Sequence, residues 1–326
     1  MANPSPETVV IAVLTYRRPD DLAAALPELL SQARSSSVPA TCLVIDNDPE
    51  AGARALVDSL DQTLVRYVHE PEPGIAAARS RALAEAGTSL LVFIDDDELP
   101  SSGWLNLLLE VQRTTGAAAV VGPVISEYAH TPDPWIAAGE FFTRRRMPTG
   151  TILTVAATNN LLLDLRQVRR IGLDFDRRFG LLGGEDTLFT RSLATQGGKM
   201  VWCDEAIVVD RVPAQRLTRS WVLRRAFSSG NSWSRVDLEL LSDTPPLIRL
   251  CHRIQLLLAG LVRIVGGGAR VVQGILARSM AHRARGLRTM ARGAGLMTGA
   301  VGYVYREYRR TQPVRALGLR SGHRNG

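Results

Sequence analysis

The stretch FIDDDELP, Phe93 to Pro100, sets four carboxylates at the end of an apolar run. Two like charges 4 Å apart repel by about 4 kcal/mol at an effective dielectric near 20. Folding alone gains nothing from such a cluster, so positive charge is expected beside it. Asp95 and Asp97 are two residues apart, and alternate side chains of a strand share a face. The pair therefore presents two carboxylates together. Hard divalent cations such as Mg²⁺ or Mn²⁺ take one or two carboxylates plus substrate phosphates. One acid of the pair can hold a metal while the other holds a ribose hydroxyl. A second acidic constellation, Gly184-Glu185-Asp186, follows about 90 residues later. Acids at a helix start gain roughly 0.3–1 kcal/mol from the helix dipole, so simple N-capping is one reading. A general base that takes a proton from an attacking hydroxyl is the other.

A mostly parallel sheet must stand behind these acids. Residues 8–16, TVVIAVLTY, form a β-branched run with the length of a buried strand, and residues 41–47, 64–70, 89–95 and 118–125 read likewise. Helical patterns separate them: RPDDLAAALPELLSQA, with Asp20 or Asp21 at its N-cap, then residues 50–62, residues 75–87 closed by Gly87, and residues 103–116. Strands alternating with helices imply an α/β fold with covered faces, and ligands bind beyond the carboxyl ends of such strands. Three strand ends are polar or acidic: Thr15-Tyr16-Arg17, Asp46-Asn47-Asp48 and Asp95-Asp96-Asp97. Residues 126–160 read as a long aromatic loop containing Trp135, a length that suits a functional region. Residues 159–172 read as a strand edge and a helix, residues 185–195 as a helix opened by Glu185 and Asp186, residues 200–210 as one strand, and residues 217–233 as a helix capped by Thr218.

These motifs resemble family 2 nucleotide-sugar glycosyltransferases of the GT-A fold. VVIAVLTYRRPDDL, CLVIDND, EPEPGIAAARSRALAEAGTSLLVFIDDDELPSSGWL and FGLLGGEDTLFTRSLATQGGKMVWCDEAIV carry the likeness, over about residues 7 to 235. The motifs look like those of bacterial polysaccharide-building members, including the succinoglycan type. The resemblance implies that Asp46 reads the nucleotide base beside Leu14, Thr15 and Arg17. It places Arg79, Asp95 and Asp96 in the nucleotide pocket and makes Asp97 a metal ligand together with Asp95. Asp186 matches the base of inverting members, and Glu185 and Gly184 would hold the acceptor with Trp135. Many members carry a histidine after the last strand as a further metal ligand. Here Asp210 stands at that place, so a third metal-binding role for Asp210 is an expectation of its own.

The implied chemistry is metal-dependent displacement at an anomeric carbon, with a nucleoside-diphosphate sugar as donor and a glycan or lipid-linked acceptor. A sugar-nucleotide-forming nucleotidyltransferase would carry a Gly-rich loop with Lys after the first strand, and LTYRRPDD has neither residue. A catalytically inactive nucleotide-sugar-binding partner, or a scaffold of a membrane glycan-assembly complex, is the alternative that the absent histidine permits.

The charge is unevenly placed. Residues 243–326 hold 15 arginines and two acids, Asp243 and Glu307, a net of +13; residues 1–242 carry −6. The sequence thus divides into a glycosyltransferase domain, residues 1–242, and a basic helical segment, residues 243–326. In the second, IQLLLAGLVRIVGGGARVVQGILARSMAHRARG is apolar but interrupted by Arg253, Arg263, Arg270 and Arg278. On one continuous helix these fall in a single arc with Arg249, Arg285, Arg288 and Arg292, opposite an apolar face. That is the pattern of a helix lying in a membrane interface, although Gly266-Gly267-Gly268 is a candidate break. A helical unit packed on the first domain is the competing reading. Nucleic acid is not an expected partner, because no stacking-aromatic platform accompanies the charge. The three widely spaced cysteines show no metal-ligand spacing, and MANPSPETVV has no signal-peptide pattern. A cytoplasmic protein, peripheral at the inner face of the cell membrane, is expected.

Overall fold

A computed structural model describes residues 7–305. The first half alternates β1 (Val9–Thr15), α1 (Pro19–Arg34), β2 (Ala40–Asp46), α2 (Arg54–Asp58), β3 (Val65–His69), α3 (Ile75–Glu85) and β4 (Leu90–Asp95). Then come β5 (Glu98–Pro100), α4 (Trp104–Thr115), β6 (Ala119–Val121), β7 (Val124–Tyr128), α5 (Pro134–Gly139) and β8 (Ile152–Leu153). The chain continues through β9 (Asn160–Asp164), α6 (Leu165–Ile171), α7 (Glu185–Thr195), β10 (Met200–Trp202) and β11 (Val208–Val212). Three helices follow: α8 (Arg219–Glu239), α9 (Pro246–Leu276) and α10 (Met280–Ala300).

An eight-stranded sheet runs in the order β3-β2-β1-β4-β9-β6-β10-β8, and a small sheet in the order β5-β11-β7. Strands β3, β2, β1 and β4 are parallel, and their register aligns Thr15 with Asp46 and Leu14 with Asp95. The polar strand ends therefore share one rim. Alternation along β1 explains the layers. Val9, Ile11 and Val13 pack in one core with Leu22, Leu26 and Leu29 of α1 and Leu105 and Leu108 of α4. Val10 and Ala12 pack in the other with Ala76, Ala78 and Ala82 of α3 and Phe189 of α7. Both faces are covered, so the strands read as unbroken apolar runs. Each buried Leu, Ile or Val contributes about 1.5–3 kcal/mol.

Several expected boundaries move. The runs over 118–125 and 200–210 each divide between the two sheets, as β6 and β7 and as β10 and β11. Pro123 has no N–H for a ladder, and a Cβ at Gly122 would stand 2.2 Å from the Ala206 carbonyl oxygen. The expected strand edge at 160 is instead interior: β9 is buried throughout and lies antiparallel between β4 and β6. The helix expected over 50–62 is confined to α2, and α3 ends at an extended Ala86 rather than on Gly87. The loop over 126–160 carries α5 and β8.

At the C-terminal end, Thr218 caps α8 by accepting the Trp221 N–H at 3.2 Å. Helix α9 runs unbroken through Gly266-Gly267-Gly268. The chain then reverses through Arg278, whose φ is 50°, and α10 returns along both α9 and α8. Glycines permit the approach. A Cβ on Gly267 would lie 2.7 Å from the Gly286 carbonyl oxygen, and one on Gly295 2.0 Å from that of Phe227. The arginine arc expected on a single helix is thus divided, with Arg249, Arg253, Arg263 and Arg270 on α9 and Arg285, Arg288 and Arg292 on α10. The last part of the basic segment, residues 306–326, lies outside the described residues.

Candidate active site

Two clefts open on the rim and share a wall. The smaller, about 460 Å³, is lined by Leu14, Thr15, Arg18, Asn47, Gly74 and Asp96 among others. The larger, about 660 Å³, is lined by Arg79, Glu98, Glu185, Asp186 and Asp210 and by the aromatic rings of Phe141, Phe142 and Trp221. Ile75, Asp95, Asp97 and Arg216 line both. The pair expected from the Asp-x-Asp spacing therefore sits where the clefts meet.

The shared wall is crowded with carboxylates. Asp97 Oδ2 accepts from Arg18 at 2.8 Å and from Arg216 at 3.3 Å, and Asp96 Oδ1 accepts from Arg18 at 3.2 Å. Across the wall, Asp210 on β11 accepts from Arg144 at 3.2 Å. Its other oxygen lies 3.9 Å from Arg216, is buried, and has no hydrogen-bond partner. Arg216 thus reaches both Asp97 and Asp210. Burial pushes the carboxyl of Asp96 up to about 7 and raises those of Asp95 and Asp210, with the Asp97 charge adding to each. Glu98 rises well above its ordinary range through burial and then the Asp95 charge.

These residues meet the requirements of a hard divalent cation. The donors are oxygen alone, one buried Asp210 oxygen is orphaned, and the carboxyls of Asp95, Asp97 and Asp210 border one cleft. Among the described residues no three His, Cys, Asp or Glu side chains are already gathered as a metal cluster. Arg18 and Arg216 bridge the acids instead, and Arg216 would have to swing aside for Asp97 and Asp210 to share an ion.

The second acidic constellation opens α7. Gly183 and Gly184 have φ of 74° and 96°, which only glycine adopts without strain, and a Cβ on Gly184 would press on Ser232 and Val236 of α8. This turn aims Glu185 and Asp186 differently. Glu185 is buried and ion-paired with Arg79 of α3, which is itself buried. Burial pushes the Glu185 carboxyl up, against the pull of Arg79 and with the charge of Asp186. Its second oxygen has no partner. Asp186 is half-buried, and one oxygen accepts the Thr187 N–H at 2.6 Å while the side chain borders the larger cleft.

Other expected site residues are placed elsewhere. Leu14 and Thr15 line the smaller cleft, but Arg17 does not: it is exposed, has φ of 55°, and pairs with Asp48 and Glu50. That backbone turn sends Arg17 outward and Arg18 inward. Nothing in two adjacent arginines, Arg17 and Arg18, tells which of them enters the cleft. Asp46 is 1% exposed and accepts from the N–H groups of Asp48 and Ala53 and from the Tyr67 hydroxyl; Asn47 lines the cleft instead. Arg79 borders the larger cleft rather than the smaller. Trp135 is removed from both. Asp133 caps α5 and Pro134 starts it, which turns Trp135 into a core with Ile136, Val222 and Ala284. The cleft's aromatic wall comes from Phe142 stacked on Trp221, centroids 5.7 Å apart, with Phe141 beside them.

Residues 10–164 match the model of glycosyl transferase family 2. A relative, the succinoglycan biosynthesis protein ExoM of Rhizobium meliloti (strain 1021), is 37% identical over 236 residues, which span 70% of this chain and 75% of ExoM. The chain belongs to glycosyltransferase family 2. Among solved structures, residues 1–349 of S. aureus TarS superpose with a TM-score of 0.51 at 12% identity, over 87% of this glycosyltransferase and 90% of that chain. GalNAc-T7, solved with UDP, GalNAc and Mn²⁺, gives 0.50 at 12% identity, over 75% of this chain and 52% of that one. The fold of this glycosyltransferase is therefore GT-A.

Proposed function

We propose that this glycosyltransferase is an inverting, divalent-metal-dependent enzyme of polysaccharide synthesis. It would move a sugar from a nucleoside-diphosphate sugar to a hydroxyl of a glycan carried at the cytoplasmic face of a membrane. The observation that carries the reading is the meeting of the two clefts at Asp95 and Asp97, with Asp186 bordering only the second.

The smaller cleft takes the nucleotide. Leu14, Thr15 and Asn47 border the base and ribose, and the buried Asp46 braces the loop that presents Asn47. Asp95, Asp97 and Asp210 would hold Mn²⁺ or Mg²⁺, which supplies charge neutralisation of the departing diphosphate. Arg18 and Arg216 are cationic groups at the same wall and can turn from carboxylates to phosphate oxygens. Asp186 accepts the proton of the acceptor hydroxyl, and Glu185, fixed by Arg79, holds the turn that positions it. Attack from the Asp186 side on a sugar whose leaving group points into the smaller cleft inverts the anomeric centre.

The membrane part rests on α9. It is the described helix long and apolar enough to cross a membrane, with mean hydropathy 1.5. Its buried positions, Leu256, Gly260, Gly267 and Gly274, face the protein, and Leu247, Leu250, Ile254, Leu258, Leu261 and Val265 form an exposed apolar row on the other side. Arg253 and Arg263 flank the packed side. Large exposed apolar patches mark membrane or protein contacts, and this row suits a helix lying in the interface.

Anomeric analysis tests the chemistry. Asp186→Asn should bind donor normally and slow transfer by about 10²–10⁴-fold. In slow donor hydrolysis by the wild type, the first sugar seen by proton NMR should have the anomeric configuration opposite to the donor. A retained configuration would rule out the direct displacement.

A further inference from the structure

Arg18, Arg144 and Arg216 all touch the acids of the shared wall, but differently. Arg18 Nη1 bridges Asp96 and Asp97 at 3.2 and 2.8 Å, and Arg144 holds Oδ2 of Asp210 at 3.2 Å. Arg216 stands between the two sides, with one nitrogen 3.3 Å from Asp97 Oδ2 and the other 3.9 Å from Asp210 Oδ1. We propose that Arg216 is an exchangeable counter-ion: it balances Asp97 and Asp210 while the donor is absent, and passes to the donor's diphosphate when a divalent cation takes those two acids. Metal and nucleotide then load together, and each binds weakly alone. This deepens the reading above and rests on it.

The grip of Arg216 is loose. Its contact with Asp97 is longer than that of Arg18 with the same oxygen, and at 3.9 Å from Asp210 it offsets charge without donating a hydrogen bond. The buried Asp210 Oδ1 is left with no hydrogen-bond partner. A guanidinium there relieves the repulsion between the two acids but leaves that oxygen unsatisfied, whereas a small hard cation does both. Cation and guanidinium repel each other at such separations, so they do not share the pair. With both gone, the repulsion of the two acids returns.

The position of Arg216 gives it a second place to go. Arg18 lines only the smaller cleft and Arg144 only the larger, while Arg216 lines both. It ends a single turn, Ala214–Arg216, in the link between β11 and α8. Ala214 and Gln215 are exposed, and the turn is closed by the Arg216 and Leu217 N–H groups, which donate to the Pro213 and Ala214 carbonyls. The Arg216 side chain is 29% exposed, so re-aiming it disturbs no core. Guanidinium forks pair with phosphate oxygens, and a diphosphate entering the smaller cleft draws Arg216 off the acids. By linkage, a nucleotide that removes Arg216 raises the affinity for metal, and the metal raises that for nucleotide by the same factor.

Mn²⁺ uptake by the full chain, read from the paramagnetic resonance of free Mn²⁺, tests this. Without nucleotide, Arg216→Gln should bind Mn²⁺ about 10-fold more tightly than wild type, and Arg216→Lys, which keeps the charge, should bind it as weakly as wild type. UDP, GDP and dTDP are then added in turn. The one that binds should tighten Mn²⁺ binding to wild type about 10-fold more than to Arg216→Gln. Urea unfolding gives an independent reading. Metal-free Arg216→Gln should unfold at lower urea than wild type, and saturating Mn²⁺ alone should close that gap, because the cation replaces the guanidinium. Equal Mn²⁺ affinity in wild type and Arg216→Gln, or a gap that Mn²⁺ leaves open, would overturn the proposal. So would a wild type that binds Mn²⁺ equally with and without nucleotide, a result that needs no variant. If none of the three nucleotides binds in Mn²⁺, the donor reading falls and the exchange with it. If one binds in Mn²⁺ but both forms take up Mn²⁺ alone equally, only the role of Arg216 falls.

Discussion

Three consecutive glycines in α9 have different neighbours and should respond differently to the same change. A Cβ on Gly266 or Gly268 meets nothing within 4 Å. Alanine there should stabilise the helix by about 1 kcal/mol through propensity alone. A Cβ on Gly267 would stand 2.7 Å from the Gly286 carbonyl oxygen and 2.7 Å from Met290 Cγ. Met290 can move, but the Gly286 backbone yields only if α9 and α10 separate, an overpacking cost of about 1–3 kcal/mol. Set against the same propensity gain, Gly267→Ala should be neutral to about 2 kcal/mol destabilising. It should therefore fall about 1–3 kcal/mol below its two neighbours. Urea unfolding of the three single variants, followed by circular dichroism in mild detergent, reads the difference. Equal midpoints and slopes would refute the glycine-seated hairpin.

Arg79→Met should destabilise the protein by about 3–5 kcal/mol, because Glu185 would be left buried and unpaired; adding Glu185→Gln should recover most of the loss in chemical denaturation. The Glu185 carboxyl is already raised by burial, and more so without Arg79. A raised native pKa means the folded state holds the proton more tightly than the unfolded chain, so the variant's stability is retained at low pH and lost as pH rises through that value. The Arg79→Met deficit should accordingly be smaller at pH 5 than at pH 8, and a deficit that grows on acidification would contradict the burial argument. Leu258→Glu and Leu261→Glu lie on exposed positions of α9 and should leave unfolding unchanged. Both should abolish co-sedimentation with anionic vesicles, since each buried leucine contributes about 1.5–3 kcal/mol; undiminished sedimentation would sink the interface-helix reading.

The parallel half of the sheet and its polar rim were legible because both sheet faces are covered, which writes β1, β2 and β4 as apolar runs stopping at Thr15, Asp46 and Asp95. The reversed direction of β9 was not, since nothing in NLLLD distinguishes an interior antiparallel strand from an edge. The runs at 118–125 and 200–210 are continuous in apolar character yet cross from one sheet to the other, a change set by contacts between Gly122 and Ala206 that are distant in sequence. The two acidic constellations announced the site, but its detailed membership depends on backbone turns. A positive φ at Arg17 exchanges Arg17 for Arg18. A short capped helix hides Trp135, and the cleft takes its aromatic wall from Phe141, Phe142 and Trp221. Arg288 and Arg292 enter from a hairpin about 100 residues beyond Asp186, where an arginine-rich sequence offers no means of telling a cleft residue from a surface one.

The central claim is that the smaller cleft binds a nucleoside-diphosphate sugar with a divalent cation held at Asp97. Isothermal calorimetry of a panel of nucleoside diphosphates and their sugars, with and without Mn²⁺, tests it most directly on wild type and Asp97→Asn. One nucleotide should bind wild type tightly only with Mn²⁺, and Asp97→Asn should lose that dependence. Binding of none of them, or equal binding in EDTA, would contradict the account.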